Sequence, residues 1–232
     1  MPVNPLGQDV GEALPDWQAP PSPVREAMQG RYCRLEPLSA QRHSADLWAA
    51  SSVDAGASWT YLPYGPFESR AAYVDWLAIR EREADPLFFA IVDLKQGHAL
   101  GVCAYLRIEP AAGCIEVGHL YFSAAMRQTA MATEAMYLMM QNAFELGYRR
   151  YEWKCDALNA ASRAAAERLG FQFEGIFRQA RVIKGRNRDT AWFSIIDSEW
   201  PALRAAFERW LAPENFDTDG RQRVALSALT AK

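Results

Sequence analysis

The chain has 232 residues, a formal net charge of −3 and 23% charged residues. With half its residues hydrophobic, this is the composition of a soluble globular protein with one sizeable core. The charge balance gives no general drive toward nucleic acid or an anionic membrane, and no apolar run approaches the length that spans a bilayer.

The N-terminus, MPVNPLGQDVGEALPDWQAPPSPV, has neither the basic start nor the apolar core of a signal peptide. Pro2, Pro5, Pro15, Pro20, Pro21 and Pro23 mark residues 1–28 as an extended arm. Trp17 and Val24 are expected to pack it down, because exposing them is costly. RYCRLEPL (31–38) alternates polar and apolar residues and reads as a strand. A helix follows, with Ser39 as its N-cap. ASWTYLPYGPF (57–67) is an aromatic loop. ESRAAYVDWLAIREREAD is an amphipathic helix with Ala72, Val74, Trp76, Leu77 and Ile79 as its apolar side. LFFAIVDL and ALGVCAYLRIEP form a hairpin across KQGH, and GCIEVGHLYF is the next strand.

The helix from about Ala130 to Leu146 carries an apolar stripe at Ala132, Met136, Met139, Ala143 and Leu146, and Gly147 stops it. RRYEWKC is a strand with Tyr151, Trp153 and Cys155 on one face. NAASRAAAERLG is a short helix capped by Asn159 and ended by Gly170. FQFEGIFRQARVI and RDTAWFSII pair across KGRN, and a last helix runs from about Ser198 to Trp210. The tail beyond Pro213 is expected to be loose. The four cysteines, Cys33, Cys103, Cys114 and Cys155, are widely spaced without a metal-ligand pattern and sit in strand-like runs. Buried reduced thiols, no bound metal and a cytoplasmic location are expected. The element order predicts an α/β (α+β) protein: a mixed sheet with helices on both faces, one domain over 29–212, the arm 1–28 and the tail 213–232.

EVGHLYF, RQTAMATEA, NAASRAAAERLGF, EGIFR, RDTAWFSII and EW occur in that order. In this ordered set the chain resembles the general N-acetyltransferase (GNAT) superfamily, and within it the RimJ/RimL-like ribosomal-protein N-terminal acetyltransferases, over about Arg31 to Trp210. The resemblance implies the GNAT fold, with a central twisted, mostly antiparallel sheet. It also implies acetyl-CoA as cosubstrate and transfer of its acetyl group to a primary amine by direct attack on the thioester. The amine would belong to a protein N-terminus or a small molecule. No nucleic-acid or membrane partner is implied. The arm is expected to serve a homodimer or to shield the cofactor. The reading from another class is a coenzyme A-binding module without transferase activity.

In that superfamily the backbone at a strand-to-helix turn holds the coenzyme A pyrophosphate. Here that region is the strand end Leu120, Tyr121 and Phe122 with the turn Arg127, Gln128, Thr129, Ala130, Met131, Ala132 and Thr133. Ala132 fits the superfamily pattern, whereas Ala130 stands where glycine is usual. Alanine keeps the N–H, so with helical angles at Ala130 the donor can still face a phosphate, aided by the helix dipole. The plain alternative is a strand-to-helix turn with no ligand. Asn159 and Ser162 match the superfamily's residues at the pantetheine arm; capping alone would also place asparagine there.

Glu116 lies eleven residues before Arg127, the spacing of the base in some superfamily members. Its alternative is a structural carboxylate paired with an arginine on the adjacent strand. His119 is the second candidate base. Alternation sends it to the opposite face unless a bulge intervenes, and the resemblance implies a splayed strand at this point. Ala166 occupies the place of the tyrosine that relatives use as acid, which leaves Ser162 as a weaker proton donor to the thiolate. The oxyanion donor would be a backbone N–H near Leu120 or Tyr121. Trp59, Tyr61 and Tyr64 are candidate walls of the acceptor pocket, or else packing under the first helices. Arg178, Arg181, Lys184, Arg186 and Arg188 put five positive charges on one hairpin: a solvated hairpin, or a surface for an acidic acceptor or the ribosome.

Overall fold

The computed structural model describes residues 2–53 and 55–230. Met1 and residues 231–232, the outer ends of the expected arm and tail, lie outside the described residues, as does Asp54. Eight strands form one sheet in the order β1-β2-β3-β4-β5-β6-β8-β7. They are β1 (Met28–Gln29), β2 (Cys33–Pro37), β3 (Leu87–Asp93), β4 (Ala99–Glu109), β5 (Cys114–Phe122), β6 (Arg150–Asp156), β7 (Gln172–Ile183) and β8 (Arg186–Ile196). Every neighbouring pair is antiparallel except β5 and β6. The helices are α1 (Ala40–Ser51), α2 (Arg70–Arg80), α3 (Ala130–Glu145), α4 (Ala160–Arg168), α5 (Trp200–Leu211) and α6 (Leu226–Thr230).

Strand alternation splits the burial into two layers. Leu35, Phe89, Ile91, Ile115, Val117, Tyr151, Phe193 and Ile195 face α3 and α5, and meet Met136, Met139 and Phe207. Phe88, Ala90, Val102, Ala104 and Tyr121 face the other way, toward Leu47 of α1 and Tyr73 and Leu77 of α2. Helices therefore cover both faces, as the element order predicts. Helix caps are sequence-local: Ser39 accepts from Arg42 N–H and Ser69 from Ala72 N–H. One long-range bond set ties α3 to the sheet edge. The buried Glu134 carboxylate accepts the N–H groups of Arg31, Tyr32 and Cys33 at 2.7–2.8 Å. Gly30 is required there, because a Cβ would lie 2.3 Å from that carboxylate.

Three expectations need correction. The buried side of α2 is Tyr73 and Leu77, while Ala72 and Ile79 face solvent; the alanines blur the stripe, and the large aromatic sets the rotation. The tail is not loose. Asn215 donates to the carbonyls of Trp210 and Val224 and accepts from Val224 N–H, and Leu226 of α6 is fully buried. In the arm Trp17 packs only in part, against Arg149 and over Gly113, where a Cβ would fall 2.4 Å from the indole, and it stays 36% exposed. Val24, by contrast, is exposed, since the prolines around it hold the chain extended along the surface. No helix among the described residues is long and apolar enough to cross a membrane.

Candidate active site

β5 and β6 run parallel from Cys114↔Arg150 to Val117↔Trp153 and share no partners beyond. Past that point β5 pairs only with β4, and β6 only with β8. The sheet thus opens where β5 leads into α3. The chain then makes a turn whose Gln128 has a φ of +60°, and α3 begins at Ala130 behind an extended Thr129 cap. Ala130 is therefore helical, which meets the condition set by the sequence. Thr129 Oγ1 accepts the N–H of Ala132 and donates to the Met126 carbonyl. The N–H groups of Ala130 and Met131 have no partner among the described residues. Two amides at the positive end of a 16-residue helix fit an anion such as a pyrophosphate. Arg127 is tied to the Phe122 carbonyl at 2.9 Å and to Ser58.

Across the opening, Asn159 caps α4 by accepting Ser162 N–H at 3.1 Å. Ser162 Oγ accepts from Trp153 Nε1 at 3.0 Å. Asn159 keeps its Nδ2 donors without a partner among the described residues, whereas the Ser162 hydroxyl hydrogen is directed at the Cys155 sulfur. Arg168 is committed to Thr133 Oγ1 and the Trp210 ring, and Arg163 lies over Phe173. Ala166 is fully buried.

Two bulges bring the ionisable groups together. β5 slips register against β4 between Gly118 and Tyr121, and His119 there has a φ of +52°. A second slip puts Arg107 at a φ of +46°. Strict alternation would send both side chains to the face opposite Glu116; the bulges re-aim them onto its face. Arg107 donates to both Glu116 oxygens at 2.6 Å, and Lys154 Nζ lies 3.0 Å from Oε2. Lys154 also reaches Glu152 at 2.6 Å and sits 3.7 Å over the Trp192 ring. Of the two readings of Glu116, this geometry is that of the paired structural carboxylate. Lys154 has no counterpart in the sequence reading, because one lysine in an alternating strand carries no signal.

His119 Nδ1 lies 3.0 Å from the Tyr64 hydroxyl, and the two rings stack. Burial, with Arg80 and Arg107 adding to it, pushes the imidazole down to about 4, so it is neutral at physiological pH. Burial likewise raises the Tyr64 phenol. Trp59 is 2% exposed and stacked on Tyr121 at 4.8 Å. This corrects its candidacy for the acceptor wall: it has no surface left to offer, and it packs against Tyr64 and Tyr121. Tyr61 is 38% exposed and donates to the Leu158 carbonyl at the entrance to α4. Of the hairpin cations, Lys184 donates to the Trp59 carbonyl and Arg188 is half-buried, whereas Arg178, Arg181 and Arg186 are exposed.

Residues 33–172 match the acetyltransferase (GNAT) domain. The chain belongs to the GNAT acetyltransferase family. It is 52% identical to a GCN5-related N-acetyltransferase from Brucella melitensis, with a TM-score of 0.92 over 94% of this chain and 99% of that one. A probable GNAT-family acetyltransferase from Chromobacterium violaceum is 44% identical, with a TM-score of 0.78 over 87% and 100%. RimL, a ribosomal L7/L12 alpha-N-protein acetyltransferase, shares the fold at 20% identity, with a TM-score of 0.64 over 74% and 94%. No curated protein matches the chain. The protein is thus an acetyltransferase, and GNAT domains use acetyl-CoA.

Proposed function

We propose that the protein transfers the acetyl group of acetyl-CoA to a primary amine, of a protein N-terminus or a small molecule, by direct attack on the thioester. The observation that carries this is the opened β5–β6 edge leading straight into the unpartnered amides of Ala130 and Met131. Ala130 and Met131 would hold the pyrophosphate, with Arg127, Gln128, Ala132 and Thr133 around them. Asn159 Nδ2 and the open edge of β5 would line the pantetheine. Acetyl-CoA, when bound, supplies an activated acyl group and a thiolate leaving group.

The chain's own residues do the rest. The strand backbone near Leu120, kinked out by the His119 bulge, donates to the developing oxyanion. His119 takes the amine proton at Nε2, with Nδ1–H donated to the Tyr64 hydroxyl, which fixes the tautomer. Glu116, locked by Arg107 and Lys154, holds the charged floor in place. The sulfur departs as a thiolate, since Ala166 offers no proton donor, and the Ser162 hydroxyl would hydrogen-bond it on turning from Cys155. The RimJ/RimL-like assignment rests on the motif order of the sequence and on shared fold.

The test is acetyl-CoA binding by calorimetry, followed by coenzyme A release with amines and amidated peptides. Binding in the micromolar range with release dependent on the amine supports the reading. Binding without release from any amine means a coenzyme A-binding module, and absence of binding overturns both.

A further inference from the structure

The polar atoms on the open face of β5, β6 and β8 can be accounted for one by one. By register and alternation, Arg188, Thr190, Trp192 and Ser194 of β8 share a face with Glu116, Glu152 and Lys154. Glu116 is taken by Arg107 and Lys154, and Glu152 by Lys154 and Arg150 at 2.7 Å. Ser194 donates to Glu174 at 2.7 Å. Three buried groups in the same row remain without a partner: Arg188 Nε, Thr190 Oγ1 and Trp192 Nε1. Thr190 is 6% exposed. Arg188 makes no hydrogen bond or ion pair among the described residues, and Asp156, the carboxylate that acts on it most, spends Oδ1 on Leu158 N–H.

Buried polar groups are nearly always satisfied, and a guanidinium withdrawn from water without a counter-ion is costly. All three orphans can donate, and none demands a donor in return. A cationic or neutral ligand would leave Arg188 unpaired, whereas an anion would complete the row. Arg188 is also close enough to act electrostatically on His119 and Glu116, which puts this row beside the proposed base and not on the outer hairpin. The neighbouring hairpin cations differ: Arg178, Arg181 and Arg186 are exposed, as ordinary surface arginines are.

We propose that the acetyl acceptor is an amine that also carries a carboxylate, and that Arg188 and Thr190 bind that carboxylate while the amine faces His119. This rests on the acetyl-transfer reading above and names its substrate class. An Arg–carboxylate pair in a partly desolvated site discriminates strongly against the uncharged amide.

The experiment measures kcat/KM with acetyl-CoA for matched acid and amide pairs: glycine, β-alanine and γ-aminobutyrate beside their carboxamides, and amidated seryl-glutamate beside amidated seryl-glutamine. The expected result is a preference of about thirtyfold or more for the acid in at least one pair. Arg188→Gln should abolish that preference by lowering only the acid's rate, and Thr190→Val should reduce it. Arg186→Gln, on the exposed part of the hairpin, should leave it unchanged. Acetyl-CoA affinity should stay within twofold throughout, and the melting temperature of Arg188→Gln should not fall, because Arg188 makes no hydrogen bond or ion pair to lose. Equal use of acids and amides, or equal slowing of both by Arg188→Gln, overturns this inference and leaves acetyl transfer standing. Failure to bind acetyl-CoA, or to release coenzyme A with any amine, overturns the transfer reading and this inference together.

Discussion

The two ends of the opening between β5 and β6 are built from different materials. At the α3 end the groups proposed to recognise the ligand are backbone amides, fixed by a turn, an extended cap and a helix start. At the other end they are side chains: His119 on Tyr64, Glu116 between Arg107 and Lys154, and Arg188 with Thr190. A backbone-built site tolerates changes of residue type as long as φ and ψ survive, so alanine at position 130 can still present its N–H. A side-chain-built site depends on identity, burial and charge together, so single substitutions there should be expensive.

The sharpest break in that comparison should come at His119. Asparagine tolerates the left-handed backbone that the bulge requires and keeps a polar partner for Tyr64, but it cannot serve as a base. His119→Asn should lower kcat by ~10²–10⁴-fold, with acetyl-CoA affinity within twofold. A rate within threefold of the parent would remove His119 from the chemistry. Its titration offers a second reading. The folded imidazole sits near 4 and the unfolded one near 6.5, so between those values the unfolded chain binds a proton that the folded chain refuses. Stability should therefore fall as pH drops across that window, by at most ~1.4 kcal/mol per pH unit from this group. His119→Asn should flatten that slope in urea titrations; His43, also pushed below its ordinary value by burial, and, toward the acid end, the carboxylates Glu36, Glu152 and Glu174, held low by their cationic partners, supply what remains.

Glu116→Gln should act mainly on the fold. It leaves Lys154 and Arg107 without their shared counter-charge in a floor where Glu116 is 2% exposed. Breaking a buried ion pair from one side costs about 3 kcal/mol. Adding Lys154→Met should restore part of that loss in a double-mutant cycle. Additive losses would mean that the two side chains are not coupled, and a stable Gln variant with a collapsed rate would return Glu116 to the role of base.

The same contrast governs what the sequence reveals. Caps and stops are local, so Ser39, Asn159, Gly147 and Gly170 could be read directly, and they fix where helices meet the sheet. Alternation was enough to assign the strands, and the ordered motifs were enough for the family. The bulge at Arg107 is not visible, because an inserted residue in an apolar run leaves the pattern nearly intact, and the one at His119 is signalled only by the resemblance. They nevertheless decide which side chains face Glu116. The buried tail escaped for another reason: Asn215 and Leu226 are held by contacts distant in sequence, with no periodicity to announce them. Arg188 was legible only as one of five hairpin cations. What distinguishes it is the absence of a partner, and that appears only once every neighbour's bonds have been assigned.

The most direct test of the backbone-built cofactor end uses two substitutions at one position. Ala130 is the first residue of α3 and follows an extended Thr129, a position where proline is well tolerated but removes the N–H. Ala130→Gly keeps the N–H and removes only the methyl group. Calorimetry with acetyl-CoA should show Ala130→Gly within twofold of the parent and Ala130→Pro weaker by about tenfold, ~1.4 kcal/mol, with both variants melting as folded proteins. Acetyl-CoA binding to Ala130→Pro as tightly as to the parent would contradict the account.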